Sequence, residues 1–325
     1  MKHLFIVNPK AGKINGQVNE IKNDIESFFA SRPEADYTIH VTRWKRDASG
    51  YTLRYASGAR EIVRIYAMGG NGTFYEVING AVGLPNVQIA WYPLGRNNSL
   101  LHSFGTEYLP AFQSLMNLSL SRVSTIDTIK TENNYMTGNA LIDGEALAFK
   151  WGEYLADHFA LPRRSCHLGA SIFSALIHRQ TRHYYFEMEN IQFHGDFRSI
   201  LVTNVSTYGA GLRPAVRDAF INDGYMDLYT IKRIPRSRLV KVLRDYIQGS
   251  YYKWPDYIRH YRCKKLRIFS DSIMTIIIDG EIFYKNALDF EVFPASVNFV
   301  CPPGINIPAP PVGKLPAAEA YETRE

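Results

Sequence analysis

The chain has few cysteines and no long apolar run. Its three cysteines, Cys166, Cys263 and Cys301, are far apart and odd in number, so they match neither a disulfide framework nor a zinc site. We expect reduced, buried thiols. The N-terminal stretch is too poor in apolar residues for a signal-peptide core, and no run approaches the length of a membrane span. These absences predict a soluble, cytoplasmic protein.

Composition and charge narrow the class of partner. The 325 residues carry a formal net charge of +6 and a pI near 9.0, and 46% of them are hydrophobic. A chain of this length and apolar content is expected to form two domains, each with its own core. The positive balance favours anionic partners, but it does not choose among nucleotide phosphates, nucleic acid and an acidic membrane surface.

A glycine-rich turn, Gly69-Gly70-Asn71-Gly72-Thr73, organises the first part of the chain. A short apolar-rich run at 61–66 precedes it, and apolar residues at helical spacing follow it, so the glycines lie between a strand and a helix. Such a turn brings backbone N–H groups and the positive end of a helix close to a ligand, which suits phosphate. A tight turn without a ligand is the alternative for this stretch taken alone.

Strands and helices alternate around this turn. Strands are predicted at 4–7, 37–42 and 87–92, with helices that end near 31, span 47–59 and cover most of 100–118. This alternation predicts an α/β fold with a doubly wound parallel sheet. The turns at Asn8, Thr42, Gly69 and Gly95 would then gather at the carboxyl ends of the strands, where such sheets bind ligands.

The pattern changes at about residue 122. Short, partly alternating runs of strand length follow, and two predicted helices interrupt them at about 168–179 and 236–252. We therefore predict an α/β domain at 1–122, a mostly antiparallel β domain at 123–302 and a Pro-rich mobile tail at 303–325.

Several motifs resemble those of the bacterial diacylglycerol kinase and sphingosine-kinase-like lipid kinase family, whose first domain is related to NAD kinases and phosphofructokinases. They keep the family's order and approximate spacing: Asn8-Pro9 with Gly12; Thr42; Gly69 to Thr73 with Asn79-Gly80; Pro93-Leu94-Gly95 with Asn98; Asn204 with Tyr208, Gly209, Gly211, Pro214 and Ala215; Asp223-Gly224 with Asp227; and Asp279-Gly280-Glu281. The resemblance implies a nucleotide-binding first domain, a β-sandwich second domain and a lipid site between the two.

The resemblance also implies ATP and Mg²⁺ as cofactors and a role for each motif. The predicted nucleotide contacts are Asn8, Gly12, Thr42, Gly69, Gly70, Asn71, Gly72, Thr73, Gly95, Arg96 and Asn98. In the family the Asp223 loop binds a structural Mg²⁺, and the carbonyls of Phe220 and Tyr225 are its other predicted ligands here. Asp279 is the predicted base for the lipid hydroxyl, with Glu281 assisting it or lying near the nucleotide. Without the resemblance, both Asp-Gly pairs would be interpreted as plain turns with solvated acids.

Three departures from the family's pattern bear on activity. Asn71 stands where the family has aspartate, which should weaken metal binding. In the loop after the fourth strand, Arg96 replaces a threonine and Ser99 an aspartate, so that Arg96 either binds phosphate or plugs the nucleotide site. The stretch from Tyr135 to Glu145 differs from the run that lines the family's acceptor site, which predicts an altered lipid pocket.

Three hypotheses remain open. The first is an ATP-dependent kinase acting on a lipid such as diacylglycerol or a sphingoid base at the inner membrane face, with docking by basic segments near 163–164, 179–183 and 232–244. The second is a catalytically impaired pseudokinase, or a nucleotide- or lipid-binding protein of the same fold. The third, nucleic-acid binding by 251–267, has charge and aromatic residues but no recognised motif, so we expect no nucleic-acid partner. A homodimer is compatible with the sequence.

Overall fold

A computed structural model describes residues 1–12, 17–95, 98–132, 134–159, 161–177, 181–207 and 219–308. The chain divides into two compact units, the first containing Met1–Thr128 and Pro294–Pro308 and the second containing Ile129–Phe293. The predicted domain boundaries remain a prediction, since these units are defined by contacts alone. Several predicted residues lie outside the described ranges: Arg96, Arg179, Tyr208, Gly209, Gly211, Pro214, Ala215 and the tail from 309.

In the described part of the first unit, four parallel strands lie side by side in the sheet. They are β1 (Lys2–Val7), β2 (Asp36–Val41), β3 (Val63–Gly69) and β4 (Val87–Pro93), in the spatial order β2-β1-β3-β4. Neighbours in this order are parallel, and Asn298 and Phe299 add a further parallel pairing beside β4. β1 and β3 are buried along almost their whole length, as parallel strands covered on both faces are. The predicted α/β class is confirmed.

Helices connect these strands: α1 (Val18–Ala30), α2 (Asp47–Ser57), α3 (Asn71–Ala81), α4 (Ser99–Phe104), α5 (Leu109–Phe112) and α6 (Leu115–Leu120). The stretch predicted as mostly helical after β4 therefore consists of three short helices and a 3-10 turn at Thr106–Tyr108. Gly105 interrupts it because its φ of +119° is incompatible with a helix, and Pro110 lies in the first turn of α5, where its missing N–H costs nothing.

The second unit is mostly antiparallel. Its strands are β5 (Arg122–Thr131), β6 (Asn134–Met136), β7 (Asn139–Asp143), β8 (Arg182–Met188), β9 (Gln192–Phe197), β10 (Ser199–Thr203), β11 (Met226–Ile231), β12 (Ile258–Cys263), β13 (Lys265–Ile278) and β14 (Glu281–Cys301); β5 begins, and β14 ends, in the first unit. The register of β13 shifts between Phe269 and Met274. Residues 266–269 of β13 pair with β8, whereas residues 276–278 pair with β7. One long strand is therefore shared by both layers of a sandwich.

Among the described residues of the second unit, three α-helices are formed: α7 (Gly144–His158), α8 (Arg163–Ile177) and α9 (Arg236–Ile247). The sequence predicted α8 and α9 but not α7, because β7 runs into α7 at Asp143 without an intervening polar loop. Alternate residues of β7 are buried on both sides: Ala140 and Ile142 face the sandwich core, whereas Leu141 packs in a second cluster with Ala146 of α7. Within the described ranges, no helix combines the length and apolar character needed to cross a bilayer.

Candidate functional site

A cleft of about 390 Å³ lies at the carboxyl ends of the parallel strands in the first unit. The loops after all four strands line it, which is where parallel sheets bind their ligands. Among its walls are six of the predicted nucleotide-contact residues: Asn8, Thr42, Gly70, Gly72, Thr73 and Gly95.

Glycines allow the loops around this cleft to approach one another closely. A Cβ on Gly95 would lie 2.3 Å from the Cα of Gly70, so neither loop has room for a side chain there. Gly12 has a φ of +58°, and a Cβ on it would lie 1.9 Å from the carbonyl oxygen of Leu94. These contacts are between backbones and cannot be relieved by turning a side chain. The glycines therefore build the floor of the cleft from peptide groups.

The first turn of α3 lines the cleft. The helix begins at Asn71, directly after Gly70, whose backbone is extended (φ −93°, ψ −165°). Asn8 Nδ2 donates a hydrogen bond of 2.9 Å to Thr73 Oγ1, which fixes this turn against the loop after β1. N–H groups in the first turn of a helix have no partner within the helix, and with the helix dipole they favour an anion. Phosphate suits the arrangement.

Asn71 and Ser99 occupy two positions where the family's pattern has acids, and they contact each other. The Ser99 N–H donates to Asn71 Oδ1 at 3.1 Å, and Asn71 Nδ2 donates to Ser99 Oγ at 3.1 Å. Sequence reasoning treated these as two separate losses. The structure shows one linked replacement, in which a neutral hydrogen-bonded pair joins the glycine-rich turn to the start of α4. Nearby, Asn98 Nδ2 donates to the carbonyl oxygen of Gly95 at 3.1 Å.

Sequence reasoning missed three neighbours of Thr42. Arg43, Trp44 and Lys45 line the cleft, together with Lys10, and Trp44 is 66% exposed. A basic-aromatic-basic run immediately after a strand of the parallel sheet was the available signal. These side chains place cationic groups and one aromatic ring in the same cleft as the glycine-rich turn, where phosphate is expected to bind.

Asp279 lies in the second unit, in the two-residue turn between β13 and β14. Asp279 and Gly280 have φ values of 46° and 95°, which matches the tight hairpin that an Asp-Gly pair predicts. The carboxylate is not solvated, however, because the residue is only 8% exposed. Its Oδ2 accepts the backbone N–H of Thr137 at 2.9 Å and its Oδ1 that of Asn139 at 3.0 Å. The turn holds a buried acid.

Burial sets the acid–base behaviour of Asp279. It raises the pKa of this carboxyl group to about 6, while hydrogen bonds from the backbone of Thr137, Asn139 and Gly138 oppose the increase. A carboxylate with a pKa near 6 is ionised at neutral pH and is a stronger base than an exposed one. This suits the role of proton acceptor.

Asn139 connects the surroundings of Asp279 to the loop after β10. Its Oδ1 accepts the hydroxyl of Thr203 at 2.7 Å, and its Nδ2 donates to the carbonyl oxygen of Thr207 at 3.3 Å. That loop contains Asn204, the first residue of the family motif, whose other residues at 208–215 lie outside the described ranges. Glu281 follows Gly280 as the first residue of β14.

Asp223, the predicted metal ligand, is held by an arginine. Its side chain is 2% exposed, forms an ion pair with Arg262 Nη2 and accepts the N–H of Tyr225 through Oδ1 at 3.0 Å. Arg262 on β12 is 7% exposed; its Nε lies 3.6 Å from Asp227 Oδ1 and its guanidinium carbon 4.9 Å from the ring centre of Tyr225.

Comparison with known proteins identifies the family. A sequence model of the diacylglycerol kinase catalytic domain matches residues 2–131, and one of the YegS C-terminal NAD kinase beta sandwich-like domain matches residues 152–301. The chain belongs to the diacylglycerol kinase-like family of lipid kinases. The second match also agrees with the β-sandwich predicted for the second domain.

The similarity of this lipid kinase family member to known proteins covers most of its chain. A Shewanella frigidimarina protein provisionally named a YegS-like lipid kinase is 26% identical over 294 residues, which cover 86% of this chain and 90% of that protein. A Staphylococcus aureus protein provisionally named a lipid kinase is 23% identical over 248 residues, covering 74% and 78%. A structure of a provisionally named Bacillus anthracis diacylglycerol kinase superposes with a TM-score of 0.72 at 19% identity, covering 94% of this chain and 98% of that one, and shows the shared fold.

The arrangement at Asp223 does not fit the magnesium ion that the family implies. Magnesium binds oxygen ligands at about 2.0–2.1 Å, and the Asp223 carboxylate is the one negatively charged ligand predicted for this site. Here both oxygens already accept a hydrogen bond, one of them from a buried guanidinium whose positive charge would lie beside the ion. Among the described residues, no group of three or more His, Cys, Asp or Glu side chains is placed to hold a metal. The assignment of Asp223, Phe220 and Tyr225 as metal ligands therefore stays a prediction that the contacts of Asp223 do not support.

The cleft of the first unit likewise offers few oxygen ligands from side chains. Glu76 is the only carboxylate among its described lining residues. Its two oxygens accept the N–H groups of Arg46 at 2.9 Å and Ala48 at 3.2 Å, so Glu76 caps the start of α2. This lipid kinase family member therefore surrounds the cleft with cationic groups rather than with free carboxylates.

Proposed function

We propose that this protein transfers the γ-phosphoryl group of ATP to the hydroxyl group of a lipid such as diacylglycerol or a sphingoid base. The observation that carries the proposal is the cleft at the strand ends of the first unit, where backbone N–H groups and the start of α3 form a site for phosphate. The family of the chain supports the same chemistry.

The triphosphate is expected to bind along the turn from Gly70 to Thr73. Lys10, Arg43 and Lys45 neutralise its charge, and the exposed ring of Trp44 offers a surface on which the adenine base stacks. Phosphoryl transfer depends mainly on positioning and on charge neutralisation, which these groups supply. Magnesium, when it arrives with the nucleotide, adds charge neutralisation at the phosphate oxygens.

In the second unit, Asp279 is proposed as the base. As the lipid oxygen forms its bond to the γ-phosphorus, the hydroxyl proton passes to the Asp279 carboxylate, and the bond between phosphorus and the ADP oxygen breaks. The pKa of about 6 leaves this carboxylate ionised at neutral pH and able to accept the proton.

The test combines binding and transfer on one sample. ATP binding is measured by calorimetry with and without Mg²⁺, and transfer of labelled γ-phosphate to a mixed lipid extract follows. We expect the wild type to bind ATP and label a lipid, and Asp279→Asn to bind ATP equally while its transfer rate falls about 100-fold. Asp289→Asn, at an exposed carboxylate of the same unit, is the matched control and should keep its activity.

Two results would contradict the proposal. Unchanged transfer by Asp279→Asn would exclude Asp279 as the base. ATP binding by the wild type without transfer to any lipid of the extract would exclude the kinase activity and favour a pseudokinase.

A further inference from the structure

The outer surface of α7 and α8 carries large apolar side chains that no described part of the chain covers. Trp151 and Tyr154 on α7, and Phe173, Leu176 and Ile177 on α8, are between 41% and 57% exposed. The ring of Trp151 lies 6.1 Å from that of Tyr154 and 5.9 Å from that of Phe173, so the side chains of the two helices form one patch. We call this surface the α7–α8 face.

The exposed apolar patch continues into the segment that connects α7 to α8. Phe159 and Leu161, which follow α7, are 55% and 60% exposed. Seven large apolar side chains are therefore accessible within 151–177, which is unusual for a surface that faces only water. Such a surface indicates a partner.

A second feature adjoins this face. A cleft of about 860 Å³ in the second unit is lined by Leu147 and Lys150 of α7 and by residues of other elements, including Arg182 and Arg198. Positions 147, 150, 151 and 154 follow the spacing of a single stripe along a helix. The stripe on α7 therefore runs from the wall of the cleft into the apolar patch.

The cleft carries more cationic than anionic side chains. Lys150, Arg182 and Arg198 line it, against Asp143 and Asp271. Arg182 Nε donates to Asp143 Oδ2 at 2.7 Å, which fixes that guanidinium at the wall. Lys150 is exposed, and no carboxylate of a described residue forms an ion pair with it. Positive charge therefore lies at the border between the cleft and the patch.

We propose that the α7–α8 face and the adjoining cleft dock onto an anionic lipid bilayer. Apolar and aromatic side chains next to cationic ones are the combination that binds the interfacial region of a membrane, where rings such as that of Trp151 lie at the level of the headgroups. Lys150 and the cleft then face anionic headgroups. The choice of a bilayer over another apolar partner rests on the proposed function, because a lipid kinase must reach a substrate that resides in a membrane.

Charge alone would favour a different surface. Helix α9 exposes Arg236, Arg238, Lys241 and Arg244, and the segment 232–244 is one of the docking sites predicted from sequence. Its only large exposed apolar side chain among the described residues is Val240. The α7–α8 face combines both features, so binding should depend on it and not on α9.

The experiment is co-sedimentation of the full chain with vesicles in the absence of nucleotide. Vesicles of phosphatidylcholine alone are compared with vesicles containing about one third phosphatidylglycerol. We expect the wild type to bind the anionic vesicles, and the double variant Trp151→Ser/Phe173→Ser to bind them about tenfold more weakly. Lys150→Glu should weaken binding to anionic vesicles and leave weak binding to neutral ones unchanged.

Matched variants distinguish binding through this face from nonspecific binding through any exposed aromatic ring or any positive charge. Tyr252→Ser removes a ring that is 68% exposed outside the face, and Lys232→Glu reverses an exposed charge in the competing segment; both should bind as the wild type does. Circular dichroism and thermal unfolding confirm that each variant is folded. As a second readout, brominated lipid should quench Trp151 fluorescence, and Trp151→Phe should lose that quenching while still binding vesicles.

Three outcomes would overturn the proposal. Wild-type binding by the double variant would exclude the face, and loss of binding in Lys232→Glu alone would place docking on the segment 232–244. A wild-type dimer in sedimentation velocity that the double variant dissociates would make the face an interface between copies. Vesicle binding is measured without nucleotide and is therefore independent of phosphate transfer. A wild type that binds vesicles but fails the transfer assay would contradict the proposed kinase activity and leave the docking proposal intact.

Discussion

Replacing Asp279 by asparagine should change the pH dependence of stability, independently of any effect on catalysis. Burial raises the pKa of Asp279 from 3.8 to about 6. A carboxyl group with a higher pKa in the folded state binds its proton more tightly there, so its contribution favours folding at low pH. That contribution is lost as the pH rises from about 4 through about 6. A difference of about two pKa units corresponds to about 3 kcal/mol over the whole range.

The assay is urea unfolding of the wild type and Asp279→Asn at about pH 4.5 and about pH 7.5, followed by tryptophan fluorescence. Between these two pH values the linkage amounts to about 2 kcal/mol. The free energy of unfolding of the variant, relative to the wild type, should therefore rise by about 2 kcal/mol on going to the higher pH. The amide of asparagine can accept only one of the two N–H groups that Asp279 accepts, but this loss is similar at both pH values and does not alter the shift.

The matched control is Asp289→Asn, whose carboxylate is 64% exposed and belongs to the same unit. It reports the effect of an acid-to-amide change at the surface. A relative stability of Asp279→Asn that does not depend on pH, or that falls at the higher pH, would refute the reasoning. The N–H groups of Thr137 and Asn139 would then stabilise the charge more than burial destabilises it, and Asp279 would be a poor base near neutrality.

Three further substitutions, at contacts described above in the two units, have predicted effects on Mg²⁺ dependence, stability and ATP binding. Asn71→Asp, whose new carboxylate can accept both donors of the serine it now contacts, should lower the Mg²⁺ concentration for half-maximal transfer about tenfold. Arg262→Met should lower the free energy of unfolding by about 3 kcal/mol, because it removes the buried guanidinium that pairs with the Asp223 carboxylate, and should make the melting temperature respond to Mg²⁺. Gly95→Ala should abolish ATP binding in calorimetry and lower the melting temperature, because its Cβ would lie 2.3 Å from a backbone atom.

Each of these has a result that would contradict it. An unchanged Mg²⁺ requirement in Asn71→Asp would show that the other departures from the family's pattern dominate. For Arg262, the matched control is Arg259→Met, which removes an exposed charge from the same strand and should leave stability within about 0.5 kcal/mol. A wild type that melts at a higher temperature with Mg²⁺ than with a chelator would mean that the ion, and not Arg262, holds Asp223. ATP binding by Gly95→Ala would show that the floor of the cleft can move.

The parallel sheet and the grouping of its loops could be predicted from local patterns. Short apolar runs followed by turns and helical periodicity repeat through the first 120 residues, and the carboxyl ends of parallel strands necessarily meet at one edge. The placement of Asn8, Thr42, Gly70 and Gly95 around one cleft agrees with that expectation. Helix α7 escaped prediction, because a strand that passes directly into a helix leaves no loop in the sequence to mark the change.

The amino-acid sequence by itself determined the alternating elements of the first unit, the glycines that allow its loops to meet, and the family. Those properties depend on neighbours along the chain and on residue types at fixed spacing. Only the tertiary structure decided that Asn71 contacts Ser99, that Asp279 is buried in its hairpin turn, and that Arg262 holds Asp223. These contacts join residues 28 to 39 positions apart, or depend on how much water remains around a carboxylate, and both are consequences of packing that a linear pattern does not contain.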